Sequence, residues 1–146
     1  MYFEDFVLDS VIGIPPVRIC KKDMLDFGLK YDNIPIHTDE EYAASTHFGR
    51  LIAPGVMSFM TVWAKFLEND IFADELLAGK STKIEWFRPV FAEDELTGKA
   101  VVTRLTERNA KNGIVEVTFY VTNQQGELVL TDVTEVIVKR RLNSSN

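Results

Sequence analysis

Cysteine, histidine and long apolar runs are all scarce in this sequence. Cys20 is the only cysteine, so no disulfide can form within the chain, which fits a reducing compartment. The two histidines lack the HxxEH spacing of a zinc site, which predicts no metal centre. No apolar stretch is long enough for a membrane span, and the N-terminus does not resemble a signal peptide. We therefore expect a soluble, cytoplasmic protein.

Basic residues are also in the minority. The chain has 16 Lys and Arg against 22 Asp and Glu, a formal net charge of −6. This balance argues against nucleic acid or an anionic membrane as the main partner, although a small basic patch could still hold an anionic ligand. Hydrophobic residues make up 46% of the sequence, which is enough for a substantial core.

The chain has the length of one domain. No repeat, low-complexity tract or long linker divides its 146 residues. We expect a single domain over residues 1–141 and a flexible tail over residues 142–146.

The first half of the sequence predicts helices joined by irregular segments. Residues 21–29 suit a short helix, and residues 56–67 are apolar on most faces, as in a buried helix. Pro35 disfavours helix at Ile34, which predicts an extended turn from Asp32 to His37. Thr38 and Glu41 have the spacing of a capping box, which predicts a helical turn directly after that extended segment.

The second half of the sequence predicts mostly β-strands. After Gly79 the pattern has period two, and it is clearest where Val115, Val117, Phe119 and Val121 alternate with polar residues. Two hairpin turns are predicted, at residues 112–113 and at residues 124–126. One buried helix followed by long antiparallel strands is an α+β order, which a strongly bent sheet wrapped around the helix would satisfy.

Asp32 and His37 are the sharpest candidates for chemistry. They stand five residues apart across Pro35, and a carboxylate and an imidazole held close together can bind one water and exchange its protons. Gly55 is a second candidate, since free N–H groups at a helix N-terminus can bind a developing oxyanion. On spacing alone, a helix cap beside a surface histidine and a glycine that only turns the chain are the more common explanations.

Three motifs in order resemble the MaoC-like family, which includes the R-specific enoyl-CoA hydratases. The first is Asp32, Pro35-Ile36-His37, Thr38-Asp39 and Ala43; the second is Phe48-Gly49 and Ile52-Ala-Pro-Gly-Val-Met57; the third is Phe87-Arg-Pro-Val90 and Asp94-Glu-Leu-Thr97. The resemblance covers nearly the whole chain. One departure is that Ile34 stands before the proline, where these hydratases usually have Asn; Asn33 lies one place earlier.

The resemblance implies a hot-dog fold, with a long central helix wrapped by a bent antiparallel sheet. The implied reaction is reversible addition of water to a trans-2-enoyl-CoA thioester, giving the R-3-hydroxyacyl product. Asp32 and His37 would activate the water, the Gly55 N–H would polarise the thioester carbonyl, and no cofactor would be needed. A homodimer, or a dimer of dimers or trimer of dimers, is the implied assembly.

Further residues are expected near the substrate. Asn33, Ser58, Arg50 and Arg88 are candidates for binding it, and Ser58 stands where some members have a serine that supports the Asp. The basic run at residues 139–141 could instead meet the phosphates of coenzyme A. Trp86 and Trp63 are expected to be core or interface aromatics.

Two other functions remain open at this point. A hot-dog thioesterase usually carries an acidic residue on the central helix, and residues 56–67 contain none. A non-catalytic domain that binds acyl thioesters or only dimerises would not need both Asp32 and His37.

Overall fold

A computed structural model describes residues 1–142 of the protein. Apart from Leu142, the predicted tail lies outside these residues. The helices and strands follow one another as β1 (Val11–Arg18), α1 (Lys21–Tyr31), α2 (Pro35–Thr38), α3 (Glu40–Ala44), α4 (Gly55–Leu67), β2 (Leu76–Trp86), β3 (Glu95–Glu107), β4 (Asn112–Thr122) and β5 (Leu128–Lys139). Short 3₁₀ turns precede β1 and β2. Among these residues, no helix is both long and apolar enough to cross a membrane.

The five strands form one antiparallel sheet with the spatial order β1-β3-β4-β5-β2. The sheet does not close, so β1 and β2 are its edges. The predicted alternation in β4 is confirmed: Val115, Val117, Phe119 and Val121 are buried on the helix side. Burial of one face explains why this strand has so regular a pattern.

The apolar helix α4 packs on that buried face, as predicted. Phe119 of β4 meets Phe59 and Phe66 of α4 edge to face, at centroid distances of 5.6 and 5.0 Å. Edge-to-face pairs of this kind add to the stabilisation that apolar burial provides. The α+β hot-dog architecture, with its central helix and antiparallel sheet, is therefore confirmed.

The edge strands were harder to predict. β1 contains Pro15 and Pro16, and its pairing with β3 shifts register between Ile14 and Val17. Proline is tolerated there because an edge strand needs only one side of its backbone for pairing. β2 begins at Leu76, three residues before the Gly79 after which the period-two pattern is predicted to start, and it is exposed along most of its length.

One of the two predicted hairpin turns is wrong. Asn112 and Gly113 belong to β4, and the turn lies just before them, where the Asn109 side chain accepts bonds from two backbone N–H groups. The other turn is confirmed at Gly126, whose φ of 76° suits glycine. The Asn123 side chain stabilises that turn by accepting from the N–H groups of Gln125 and Glu127.

Candidate active site

Asp32 and His37 lie at the ends of two consecutive helices. Asp32 directly follows α1, and its N–H bonds to the carbonyl of Gly28. Ile34 is extended (φ −118°, ψ 149°), as expected before proline, but the predicted extended turn stops there. Pro35 begins α2, because its fixed φ suits the first position of a helix, and this turn carries His37. The extended turn over residues 32–37 is thus wrong in its second half.

The next helix is capped by a different residue from the one predicted. Asp39, not Thr38, precedes α3, and its side chain accepts a bond of 3.0 Å from the Tyr42 N–H. The Thr38 hydroxyl instead donates to the Ile34 carbonyl. It also lies 3.3 Å from the side-chain oxygen of Asn33, which is exposed.

His37 is buried and faces Asp32. Its Nδ1 lies 2.8 Å from the Ile52 carbonyl oxygen, which can only accept, so Nδ1 carries a hydrogen. Its Nε2 lies 3.4 Å from Oδ2 of Asp32. The carboxylate and an unprotonated Nε2 are both acceptors, so one water beside them can donate a hydrogen to each. A pair arranged in this way can exchange protons with that water.

The pair opens into a cleft of about 530 Å³. Most of its wall is apolar or aromatic, and the lining residues are Asp32, His37, Phe48, Ile52, Ala53, Gly55, Val56, Ser58, Trp86, Phe87, Arg88, Pro89 and Val90. Five of the seven residues predicted for the site line this cleft. Asn33 and Arg50 do not: both are exposed, and the Arg50 guanidinium lies 3.9 Å from the centre of the Phe91 ring.

The N-terminus of α4 forms one wall of the cleft. Gly55 is its first residue, and Pro54 before it provides no side-chain cap. Within residues 1–142, the N–H groups of Gly55, Val56 and Met57 bond to no acceptor. Unpaired N–H groups at a helix start favour negative charge, so this wall suits an oxygen that gains charge during a reaction.

Ser58 lies one turn further along α4. Its side chain is fully buried, and its hydroxyl has no hydrogen-bond partner among the described residues. A buried hydroxyl without a partner is costly. It therefore marks a position where a ligand atom could complete the bonding.

Trp86 was not predicted as a cleft residue. It is 49% exposed, so it is not a core side chain, and its indole lies against Gly55. Phe87 beside it is exposed as well and also lines the cleft. The only sequence signal for either residue is its place directly before the Arg88-Pro89-Val90 step.

The basic candidates lie in two places. Arg88 lines the cleft and pairs with Glu127 at 3.0 Å, with half of its side chain exposed. Arg140 and Arg141 instead lie at the far end of β5, where they pair with Glu4 and Asp5. The β2–β5 ladder runs between these two places along the 11 residues of β2, which corresponds to roughly 30 Å.

The comparison with known families decides the classification. Residues 7–125 match the family model described as the MaoC like domain. The chain belongs to the MaoC-like family. A MaoC-like dehydratase from Rhodospirillum rubrum has the same fold, with a TM-score of 0.87 and 25% identity, covering 98% of this chain and 99% of that one.

Two further relatives are similar in sequence. An uncharacterized protein of Bacillus subtilis, YdeM, is 27% identical over 142 residues, covering 96% of this MaoC-like chain and all of that protein. The mesaconyl-CoA hydratase of Cereibacter sphaeroides is 28% identical over 143 residues, covering 96% of this chain. The matched region makes up 41% of that hydratase, so this chain spans less than half of its length.

Proposed function

We propose that this protein is a hydratase/dehydratase that adds water reversibly to a trans-2-enoyl-CoA thioester to give the R-3-hydroxyacyl thioester. The observation that carries the proposal is the His37–Asp32 pair, 3.4 Å apart, facing the same cleft as the free N–H groups of α4. Membership of a family that includes dehydratases, and similarity to a CoA-ester hydratase, support the same class of reaction.

The residues divide the chemistry between them. Asp32 and His37 hold one water, whose oxygen bonds to C3 of the substrate while one of its protons passes to the pair. The electrons of the double bond move toward the thioester, whose carbonyl oxygen becomes an enolate oxygen. The Gly55 N–H stabilises that oxygen more than the ground-state carbonyl, which is what accelerates the step. C2 then takes a proton from the pair, which balances the addition.

The cleft wall suits an acyl thioester. Aromatic and aliphatic side chains can bury the acyl group, and Arg88 at the cleft can pair with a phosphate of coenzyme A if it leaves Glu127. Ser58 can bond to a polar atom of the substrate. Binding roles for Asn33 and Arg50, which lie outside the cleft, stay predictions, as does the absence of a cofactor.

We also propose that two copies of the chain pair. Val56, Met60 and Leu67 lie on one stripe of α4 and are 42–48% exposed, which is unusual for large apolar side chains grouped on one helix face. The neighbouring strand β2 pairs within residues 1–142 only with β5, so its other edge is free. A second copy would cover both surfaces, and its approach would also enclose the cleft beside them.

A thioesterase is the second candidate function. It is less well supported, because α4 (Gly55–Leu67) contains no acidic residue and the Asp32–His37 pair would have no assigned role.

The deciding experiment offers the purified protein trans-2-enoyl-CoA esters of increasing chain length. We expect loss of the absorbance of the conjugated double bond, no release of free thiol, and an R-configured product by chiral chromatography. Release of free coenzyme A instead would replace the proposal with the thioesterase. Binding of the esters without either reaction would identify a non-catalytic domain.

A further inference from the structure

Trp86 lies where a side chain at position 55 would stand. It ends strand β2, opposite Leu130 of β5. A Cβ placed on Gly55 would lie 2.4 Å from both Nε1 and Cε2 of the Trp86 indole, far inside contact distance. The indole edge that carries Nε1 is therefore seated on the first residue of α4. Glycine at position 55 is what allows this approach.

The indole N–H is a hydrogen-bond donor without an acceptor. No side-chain hydrogen bond within residues 1–142 has Nε1 of Trp86 as its donor, and about half of the side chain is exposed, so this N–H is open to a ligand. The same wall of the cleft carries the unpaired N–H of Gly55 and the buried, unpartnered hydroxyl of Ser58. Tryptophan Nε1 can only donate, and the Ser58 hydroxyl can donate as well as accept, so this wall offers several donors to a ligand oxygen. A ligand oxygen with partial negative charge fits such a surface.

We propose that Trp86 is a substrate-contacting residue of the hydration site, whose indole N–H donates to the thioester oxygen beside the Gly55 N–H. The inference rests on the proposed hydratase function. The indole N–H can only donate a hydrogen bond and cannot act as a base. Its contribution to catalysis is therefore to stabilise charge on the thioester oxygen. It should grow as the carbonyl oxygen becomes an enolate oxygen, so it should appear in kcat more than in substrate affinity.

The test replaces Trp86 by Phe, which keeps an aromatic wall against Gly55 and removes the N–H. We expect kcat for a trans-2-enoyl-CoA ester to fall by roughly 10- to 10²-fold, somewhat less than in sites fully closed to water, because the indole is half exposed. The dissociation constant of the saturated acyl-CoA of equal chain length should change little. Its binding should also shift the indole fluorescence of the wild type.

Trp63→Phe is the matched control. Trp63 lies on α4 but does not line the cleft, so this variant should keep both the wild-type kcat and the fluorescence response. Trp86→Phe should lose the response.

The outcomes separate the two proposals. Hydration by the wild type with unchanged kcat in Trp86→Phe would overturn the role of Trp86 and leave the proposed function standing. An equal loss of kcat and of affinity for the saturated ester would also overturn it. That result would mean that the substitution removed packing against the substrate, and not a hydrogen bond that acts mainly in the transition state. A wild type that hydrates no enoyl ester would overturn the hydratase function and the Trp86 inference together.

Discussion

The ring of His37 is oriented by the backbone of Ile52, fifteen residues further along the chain. The Ile52 carbonyl accepts from Nδ1 at 2.8 Å, and this bond turns Nε2 toward Asp32. Ile52 is itself held by its N–H bond to the Ile36 carbonyl and by a bridge to Phe91. The segment before α4 therefore both fixes the imidazole and leads to the free N–H groups of the cleft. Positioning by a second residue of this kind is what a proton-transfer group needs.

Asp32→Asn should abolish most of the hydration of a short enoyl-CoA. The amide cannot take a proton from water, and such groups contribute about 10²–10⁴-fold in rate. The Asp32 side chain is 44% exposed and packs in no core, so the melting temperature should stay near that of the wild type. Turnover measured by absorbance, beside a thermal melt, checks both points. Wild-type turnover in this variant would contradict the assigned role.

His37→Ala should lose activity and stability together. The ring is buried and bonds to the Ile52 carbonyl, so its removal affects the fold as well as the chemistry. Leaving that carbonyl without its donor costs roughly 1–3 kcal/mol. His37→Asn keeps an amide N–H near the position of Nδ1, so in denaturant unfolding it should regain part of the stability without regaining activity. Equal stability of the two variants would argue against the Ile52 bond.

Gly55→Ala should destabilise the protein through Trp86. The new Cβ would force the indole aside, and overpacking of this kind costs typically about 1–3 kcal/mol. In a Trp86→Ala background the same change should cost little, because the space is then free. The free energies of unfolding of the four proteins form a double-mutant cycle. An additive cycle would mean that the two residues are not in contact.

Asp132→Asn should stabilise the protein at neutral pH. Asp132 is fully buried and bonds to the hydroxyls of Thr82 and Thr134, which also contact each other at 2.8 Å. Three oxygen–oxygen contacts need three protons, and the two hydroxyls supply only two, so a protonated carboxyl completes the set. Burial raises the pKa of the Asp132 carboxyl above its ordinary value of 3.8, against the smaller lowering by these hydroxyls.

The sign of the pH effect follows from that direction. The pKa of Asp132 is higher in the folded than in the unfolded protein. The stability that the protonated Asp132 carboxyl contributes is therefore fully present below pH 3.8, and it is lost as the pH rises through the folded-state pKa. Unfolding by denaturant at acidic and neutral pH should therefore show Asp132→Asn gaining stability relative to the wild type as the pH rises. A difference between the two proteins that does not change with pH would contradict a raised pKa.

Met60→Glu should disrupt the proposed pairing of chains. Met60 lies in the middle of the exposed apolar stripe of α4, where burying a carboxylate against a second copy would be costly. Sedimentation at micromolar concentration should show a dimer or larger assembly for the wild type and a smaller species for the variant. Glu68→Gln, at the polar end of the helix, is the control and should sediment like the wild type. A wild type that is already a monomer would exclude the assembly.

The central helix and the inner strands could be read directly from the sequence. The apolar faces of α4 and the alternation in β4 are local patterns, because each element buries one surface and its residues repeat with the period of that element. The spacing of Asp32, Pro35 and His37 is also local, so the amino-acid order by itself reveals the candidate pair. The exposed edge strand β2 left no comparable pattern, because little of it is buried.

Contacts between distant segments were decided only by the tertiary structure. Strand pairing sets Thr82 beside Asp132, fifty residues away, and the end of the same strand places Trp86 on Gly55. The Ile52 carbonyl reaches His37 only because the chain returns past α2 before α4 begins. Such contacts depend on where whole elements pack, and a tryptophan or a carbonyl looks the same in the sequence whether it faces solvent, core or cleft.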